Sequence, residues 1–186
     1  RQCDLVLATG GGAMVHAAYS SGTPALGVGV GNAVITVDDT ADLDAAAEKI
    51  RLSKTLDLAA SCSSDNAVVL LDDIYEPMLE KLKSQGGYLC NEEEKAALRS
   101  TLWDDELHIN TAMVAQPPKK IAQMAGLSIP EGVNFFIVPE DGWGTAHPFS
   151  GEKLSVIMAL YRARDIDHAI ELTQNIQAYQ GQGHSC

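Results

Sequence analysis

The chain has 186 residues, 46% of them hydrophobic and 20% charged, which excludes a disordered tail or a fibrous repeat and suits one ordinary domain. Lys and Arg number 13 against 25 Asp and Glu, so the formal net charge is −12 and the pI is near 4.6. That field repels phosphate backbones and argues against general nucleic-acid binding, and no apolar run reaches the roughly 18 residues of a membrane span. Cys3, Cys62, Cys90 and Cys186 are far apart with no CxxC pair, which reads as reduced thiols in a cytoplasmic protein. The chain starts at Arg1 and stops at Cys186 directly after a glycine-rich stretch, and a piece of a longer protein is expected.

Cys3 to Thr9 is a short apolar run that meets three glycines, Gly10, Gly11 and Gly12. Ala13 to Ser21 has helix-forming composition and is stopped by Gly22 and Pro24; Ala25 to Val28 is apolar again. Strand, helix and strand are predicted, the crossover that parallel strands require. Gly27, Gly29 and Gly31 then alternate with valines, too glycine-rich for a strand interior and suited to a hinge or a close backbone approach. Val34 to Val37 reads as a strand, followed by a helix capped at Asp39 or Thr40 that carries Leu43, Ala46, Ala47 and Ile50 on the 3.6 period. Ala67 to Leu71 is β-rich, and a helix from about Ile74 to Ser84 is expected to end at Gly86-Gly87. Asn91 with Glu94 resembles a capping box, and Pro117-Pro118 opens a helix that closes at Gly126. Asn134 to Val138 and Leu154 to Tyr161 read as buried strands. Asp165 starts a last helix with Ile166, Ala169, Ile170 and Thr173 on one face, ended by Gly181 to Gly183. Strands alternating with amphipathic helices predict an α/β fold, a three-layer α/β/α arrangement with a mostly parallel sheet.

Three places can carry chemistry. Thr9-Gly10-Gly11-Gly12 follows a strand and opens a helix, so bare backbone N–H groups can approach an anionic cofactor. The match to GxGxxG is incomplete because Val15 stands at the third small position, and a plain tight turn remains an equal reading. Cys62 sits among small and polar residues between a helix and a strand; a nucleophilic thiol needs that access, whereas an average cysteine is buried and inert. Glu152, at a strand entrance, can accept from ribose hydroxyls as acids do in dinucleotide folds, or it is a surface residue paired with Lys153 or with solvent. His184 beside Gly183 is a lone histidine, and a metal pair with Cys186 has no further spaced ligands. No metal is expected.

Taken in order, the segments Leu7–Asn32, Ser53–Val69 (SKTLDLAASCSSDNAVV), Pro148–Ser155 (PFSGEKLS) and Gly183–Cys186 (GHSC) strongly resemble the CoA-acylating aldehyde dehydrogenases, including the dehydrogenase half of bifunctional aldehyde–alcohol dehydrogenases. The resemblance implies an aldehyde dehydrogenase-like catalytic domain in residues 31–186 and the end of the dinucleotide-binding domain in residues 1–30. It implies that Cys62 is the nucleophile, that Thr9, Gly10 and Gly11 approach NAD, that Glu152 contacts the cofactor ribose, and that His184 is an active-site histidine. A short aldehyde would pass through a cysteine thioester to coenzyme A, in a cytoplasmic homo-oligomer, free or within a bacterial microcompartment.

Three departures mark a subgroup: Gly12-Ala13 for Pro-Gly, Asn32-Ala33-Val34 for Asn-Thr-Pro, and Ser-Ser-Asp after Cys62 for the Ala-Ser-Glu type. Sulfoacetaldehyde is the substrate they suggest first, with acetaldehyde next. Hydrolytic relatives place a base where this chain has Gly27-Val28-Gly29, so release of a free acid is the rival within the superfamily. A non-catalytic packing module is the rival from another class, and a thiol redox protein lacks a resolving cysteine near Cys62.

Overall fold

In chain order the elements are β1 (Val6–Thr9), α1 (Gly12–Tyr19), β2 (Ala25–Val28), β3 (Ala33–Val37), α2 (Leu43–Thr55), β4 (Asp65–Leu71), α3 (Asp72–Ser84), β5 (Gly87–Leu89), α4 (Glu92–Leu102), α5 (Pro118–Ala125), β6 (Phe135–Pro139), β7 (Ile157–Ala163) and α6 (Ile166–Tyr179). The computed structural model describes residues 3–181. β1 and β2 pair in parallel as a separate two-stranded sheet, with Thr9 opposite Val28. The other five strands form one parallel sheet in the order β3-β4-β7-β6-β5. Its central strands are apolar on consecutive positions because both faces are covered: Ala67 to Leu70, Phe135 to Val138 and Ile157 to Tyr161 are all buried.

β3 shows the layering. Ile35 and Val37 face a groove beside Ala41, Ala45 and Ile50 of the α2 region, whereas Thr36 turns the other way and its Oγ1 lies 3.2 Å from Thr173 Oγ1 on α6. Helices therefore cover both faces, giving the expected three layers. β3 to β4 and β4 to β5 step the same way along the sheet, so right-handed crossovers place α2 and α3 on one face. Among the described residues, no helix is long and apolar enough to cross a membrane.

Several boundaries differ from expectation. The N-cap of α2 is Asp42, whose side chain accepts from the N–H groups of Asp44 and Ala45, while Thr40 is held in a turn by Asp38 Oδ1. α6 starts at Asp165 as predicted, but it buries Ala169, Leu172 and Ile176 and leaves Ile166 and Ile170 exposed. β7 starts at Ile157 rather than Leu154, because Leu154 takes a positive φ of 47° that no strand permits. β5 is an extra strand inside the expected Gly86-Gly87 stop. Gly86 turns the chain at φ +88° and Gly87 begins the strand, where a Cβ would stand 2.7 Å from Ile137 Cδ1.

Candidate active site

Four connections converge on one cleft of about 520 Å³. The β1–α1 turn contributes Thr9, Gly10 and Gly11, and the join after β2 contributes Gly29 to Gly31. The loop ahead of β4 contributes Cys62, and the segment ahead of β7 contributes Glu152. Five of the six residues nominated from sequence thus share one wall-to-wall space. The sixth, His184, lies outside the described residues.

The glycines on this wall leave it bare. Gly11 is the N-cap of α1 and supplies no side-chain cap, so leading N–H groups are available to a ligand. A Cβ at Gly11 or Gly29 would meet no protein atom within 4 Å; it would project into open space where a ligand can approach the backbone.

Cys62 is half-buried on a tight loop. Ser61 Oγ lies 2.9 Å from Ser63 Oγ, and Ser64 N–H donates to Ser61 O at 3.0 Å, which pins the turn on both sides of the thiol. Ahead of it Asp57, Leu58 and Ala59 take φ of 46°, 55° and 59° in succession. Left-handed backbone costs a non-glycine residue roughly 1–2 kcal/mol, and burial of Ala59 with Leu58 packed on the core holds it in place. This strained approach has no glycine or asparagine to announce it in the sequence. The other described cysteines differ: Cys3 is exposed, and Cys90 is buried with its thiol pushed up to about 12, chiefly by burial and secondarily by Glu94.

Glu152 is half-buried, and Lys153 is not its surface partner. Lys153 is fully buried and donates from Nζ to the carbonyls of Phe149 and Gly151, both at 2.7 Å. Glu152 Oε1 is buried with no hydrogen-bond partner among the described residues, and burial raises the Glu152 carboxyl, opposed by Lys153 and Lys54. A second buried lysine, Lys54 at the end of α2, also carries an unpartnered Nζ. Burial lowers it to about 7 against the opposing pull of Asp65 and Glu152. Asp65 is itself raised, first by burial. The sequence reading took Lys153 for a surface residue and did not single out Lys54.

Elsewhere, ligand atoms of Glu140, Asp141 and His147 lie within 4.8 Å of one another beyond β6, but Glu140 is already engaged by Lys95 at 3.2 Å and His147 at 2.9 Å. That cluster stands apart from the cleft and shares none of its lining residues.

No protein-family model matches the chain. A sulfoacetaldehyde dehydrogenase (acylating) of Cupriavidus necator is 46% identical over 187 positions, covering 100% of this chain and 38% of that protein. A bifunctional aldehyde-alcohol dehydrogenase of Escherichia coli is 41% identical, covering 98% of this chain and 20% of its own length. The crystal structure of an acetylating aldehyde dehydrogenase from Geobacillus thermoglucosidasius matches with a TM-score of 0.94 at 40% identity, over 97% of this chain and 40% of that one. The chain is similar along its whole length to acylating aldehyde dehydrogenases. It spans well under half the length of each of these relatives. The cleft is therefore found in a chain whose fold and sequence both follow acylating aldehyde dehydrogenases, and Cys62, Glu152 and the glycine turn fall inside the matched region.

Proposed function

We propose that these residues carry the nucleophile and part of the cofactor wall of a CoA-acylating, NAD-dependent aldehyde dehydrogenase. The observation that supports it best is the shared cleft of Cys62, Thr9 to Gly11 and Glu152. The residues suit a nicotinamide cofactor: a bare glycine turn at a helix start, and a carboxylate oxygen that is buried and unpartnered. When bound, that cofactor supplies the hydride acceptor. Cys62 Sγ adds to the aldehyde carbonyl carbon, and the Cys62 backbone N–H can donate to the developing oxyanion, a contact worth about 2.7–4 kcal/mol when preorganised. Loss of hydride from the same carbon leaves a thioester on Cys62, and the thiol of coenzyme A takes the acyl group and restores the cysteine.

Water as the acceptor requires a base, a contribution of typically 10²–10⁴-fold. The glycine segment 27–31 contains no acid, and among the described residues Glu152 is the only acidic one lining the cleft. That favours coenzyme A. Sulfoacetaldehyde is the first substrate to try, since a protein so named is 46% identical, and acetaldehyde the second. We assign residues 1–30 to the end of a dinucleotide-binding domain. In support, β1 and β2 stand as a two-stranded sheet that exposes Leu7 by 73% and Leu26 by 60%, and two strands alone are marginal. Residues 31–186 are assigned to the catalytic domain. A homo-oligomer in the cytoplasm completes the proposal.

The test is product analysis on the full-length protein that carries this chain. With NAD and sulfoacetaldehyde or acetaldehyde, acyl-CoA is expected when coenzyme A is present and little NADH when it is absent. Steady NADH formation with free acid, unchanged by coenzyme A, would falsify the acylating assignment.

A further inference from the structure

Glu152 and Leu154 line the cleft, whereas Lys153 between them is fully buried. The turn ahead of them, residues 148–151, is buried as well. Water cannot serve the carbonyls of a buried turn, so protein donors must. Lys153 Nζ donates to Phe149 O and Gly151 O, both at 2.7 Å, and Asn32 Nδ2 donates to Ser150 O at 2.7 Å. Three successive carbonyls ahead of Glu152 are thus held by side chains. An ammonium has three N–H donors, and two remain after loss of a proton, so both lysine bonds hold in either state.

The bond from Lys153 Nζ to Gly151 O closes a ring that passes through the Glu152 backbone and restricts its φ and ψ. In addition, Glu152 N–H donates to Gln180 Oε1 at 3.0 Å, just past α6. Gly151 makes room for that contact, since a Cβ there would stand 2.5 Å from Gln180 Oε1. Lys153 N–H is in turn tied to Asn66 Oδ1 at 3.3 Å, at the start of β4. The backbone around Glu152 is therefore fixed from three directions, yet its own Oε1 is buried with no hydrogen-bond partner among the described residues. A held backbone that carries an open acceptor is the arrangement of a preorganised binding group.

We propose that Lys153 and Gln180 are positioning residues for Glu152: they fix the backbone of the buried turn so that its carboxylate meets the cleft with an acceptor open to a ligand hydroxyl. The inference rests on the cofactor role given to Glu152 above. It adds two side chains that act only through Glu152, one by closing the turn on itself and one by tying it to the end of α6.

The experiment measures NADH affinity by fluorescence in the full-length protein for wild type, Lys153→Met, Gln180→Ala, Glu152→Gln and the two double variants that combine Glu152→Gln with each. A misaimed carboxylate loses a hydrogen bond to a charged group, which predicts roughly tenfold weaker binding in Lys153→Met. Gln180→Ala, which removes one tether, is expected to weaken binding roughly threefold. Each double variant should bind no more weakly than Glu152→Gln alone, because both residues act through that carboxylate. Alkylation of Cys62 is the control. Its loop is pinned by its own bonds among Ser61, Ser63 and Ser64, so its rate should match the wild type. Unchanged affinity in either single variant, losses that add in a double variant, or a Cys62 rate that falls with the affinity overturns the inference while leaving Glu152 in its role. Unchanged affinity in Glu152→Gln removes that role and the inference with it. Should Lys153→Met not fold, Gln180→Ala and its double variant decide alone, since they leave the buried lysine in place.

Discussion

Val15 of α1 fits into the space that Gly27 of β2 leaves open: a Cβ on Gly27 would stand 2.6 Å from Val15 Cγ1 and 2.9 Å from the Tyr19 ring. Tyr19 Oη also accepts the Gly27 N–H at 2.9 Å. In a dinucleotide fingerprint the third glycine lets helix and strand pack closely. Here that position is Val15, and the missing small residue is supplied from the strand side. Gly27→Ala is therefore expected to destabilise the β1–α1–β2 unit by about 1–3 kcal/mol through overpacking. Val15→Ala in the same chain should recover part of that loss. Urea unfolding of the single and double variants measures both, and an unperturbed midpoint in Gly27→Ala would rule out a tight contact.

Asn91 and Glu94 form a reciprocal cap on α4: Asn91 Oδ1 accepts from Glu94 N–H and Glu94 Oε2 from Asn91 N–H, each at 2.9 Å. Asn91→Ala removes one half of it. A loss of about 1 kcal/mol is expected, which lowers the melting temperature of a protein of this size by roughly 2–4 °C. Calorimetry checks it, and Asn91→Ser should restore most of the difference.

The cysteines should separate by alkylation. With its thiol near 12, Cys90 is about one part in ten thousand thiolate at pH 8, and the thiolate is the reacting form. Iodoacetamide followed by peptide mass spectrometry should find Cys62 labelled rapidly and Cys90 only after denaturant is added. Cys3 is exposed and serves as the reference for an accessible thiol. Labelling of Cys62 no faster than Cys3 would deprive the nucleophile assignment of chemical support.

The parallel architecture was legible because its strands are apolar runs separated by capped helices, and Asn91, Pro118 and Gly126 mark their helix ends as expected. The cleft was legible as an order of motifs along the chain rather than from any one residue. The buried lysines were not read, although one signal was present. Ala47, Ile50 and Lys54 are all buried on α2, and their spacing of three and four residues puts the lysine on the apolar stripe itself. β5 was missed because two glycines look like a stop, yet Gly87 is there because Leu82 O and Ile137 Cδ1 crowd the strand at 2.8 and 2.7 Å. The left-handed run at Asp57 to Ala59 had no signal at all, since tertiary packing rather than local preference sustains it.

The pH dependence of stability tests whether Lys54 is buried as a titrating group. Its value falls from 10.5 in the unfolded chain to about 7 in the fold, with burial the leading cause. Below pH 7 the amine is protonated in both states and the cost of burying it is fully present. Between about 7 and 10.5 the unfolded chain keeps a proton that the folded chain has released, so stability rises with pH across that window. The upper bound on the rise is on the order of 5 kcal/mol, from the difference between those two values. Asp65 and Glu152 act with the opposite sign and on the acid side: both are raised above their ordinary values of 3.8 and 4.5, so folding loses stability as pH climbs through their titrations. Lys54→Met removes the lysine contribution while roughly conserving volume, a replacement that buried charges often tolerate without loss of stability. Urea midpoints from pH 7 to 10 should therefore show the wild type gaining on Lys54→Met by an amount within that bound. Two parallel curves would mean that Lys54 does not titrate inside the fold, and that its ammonium reaches solvent or a partner the structure does not show.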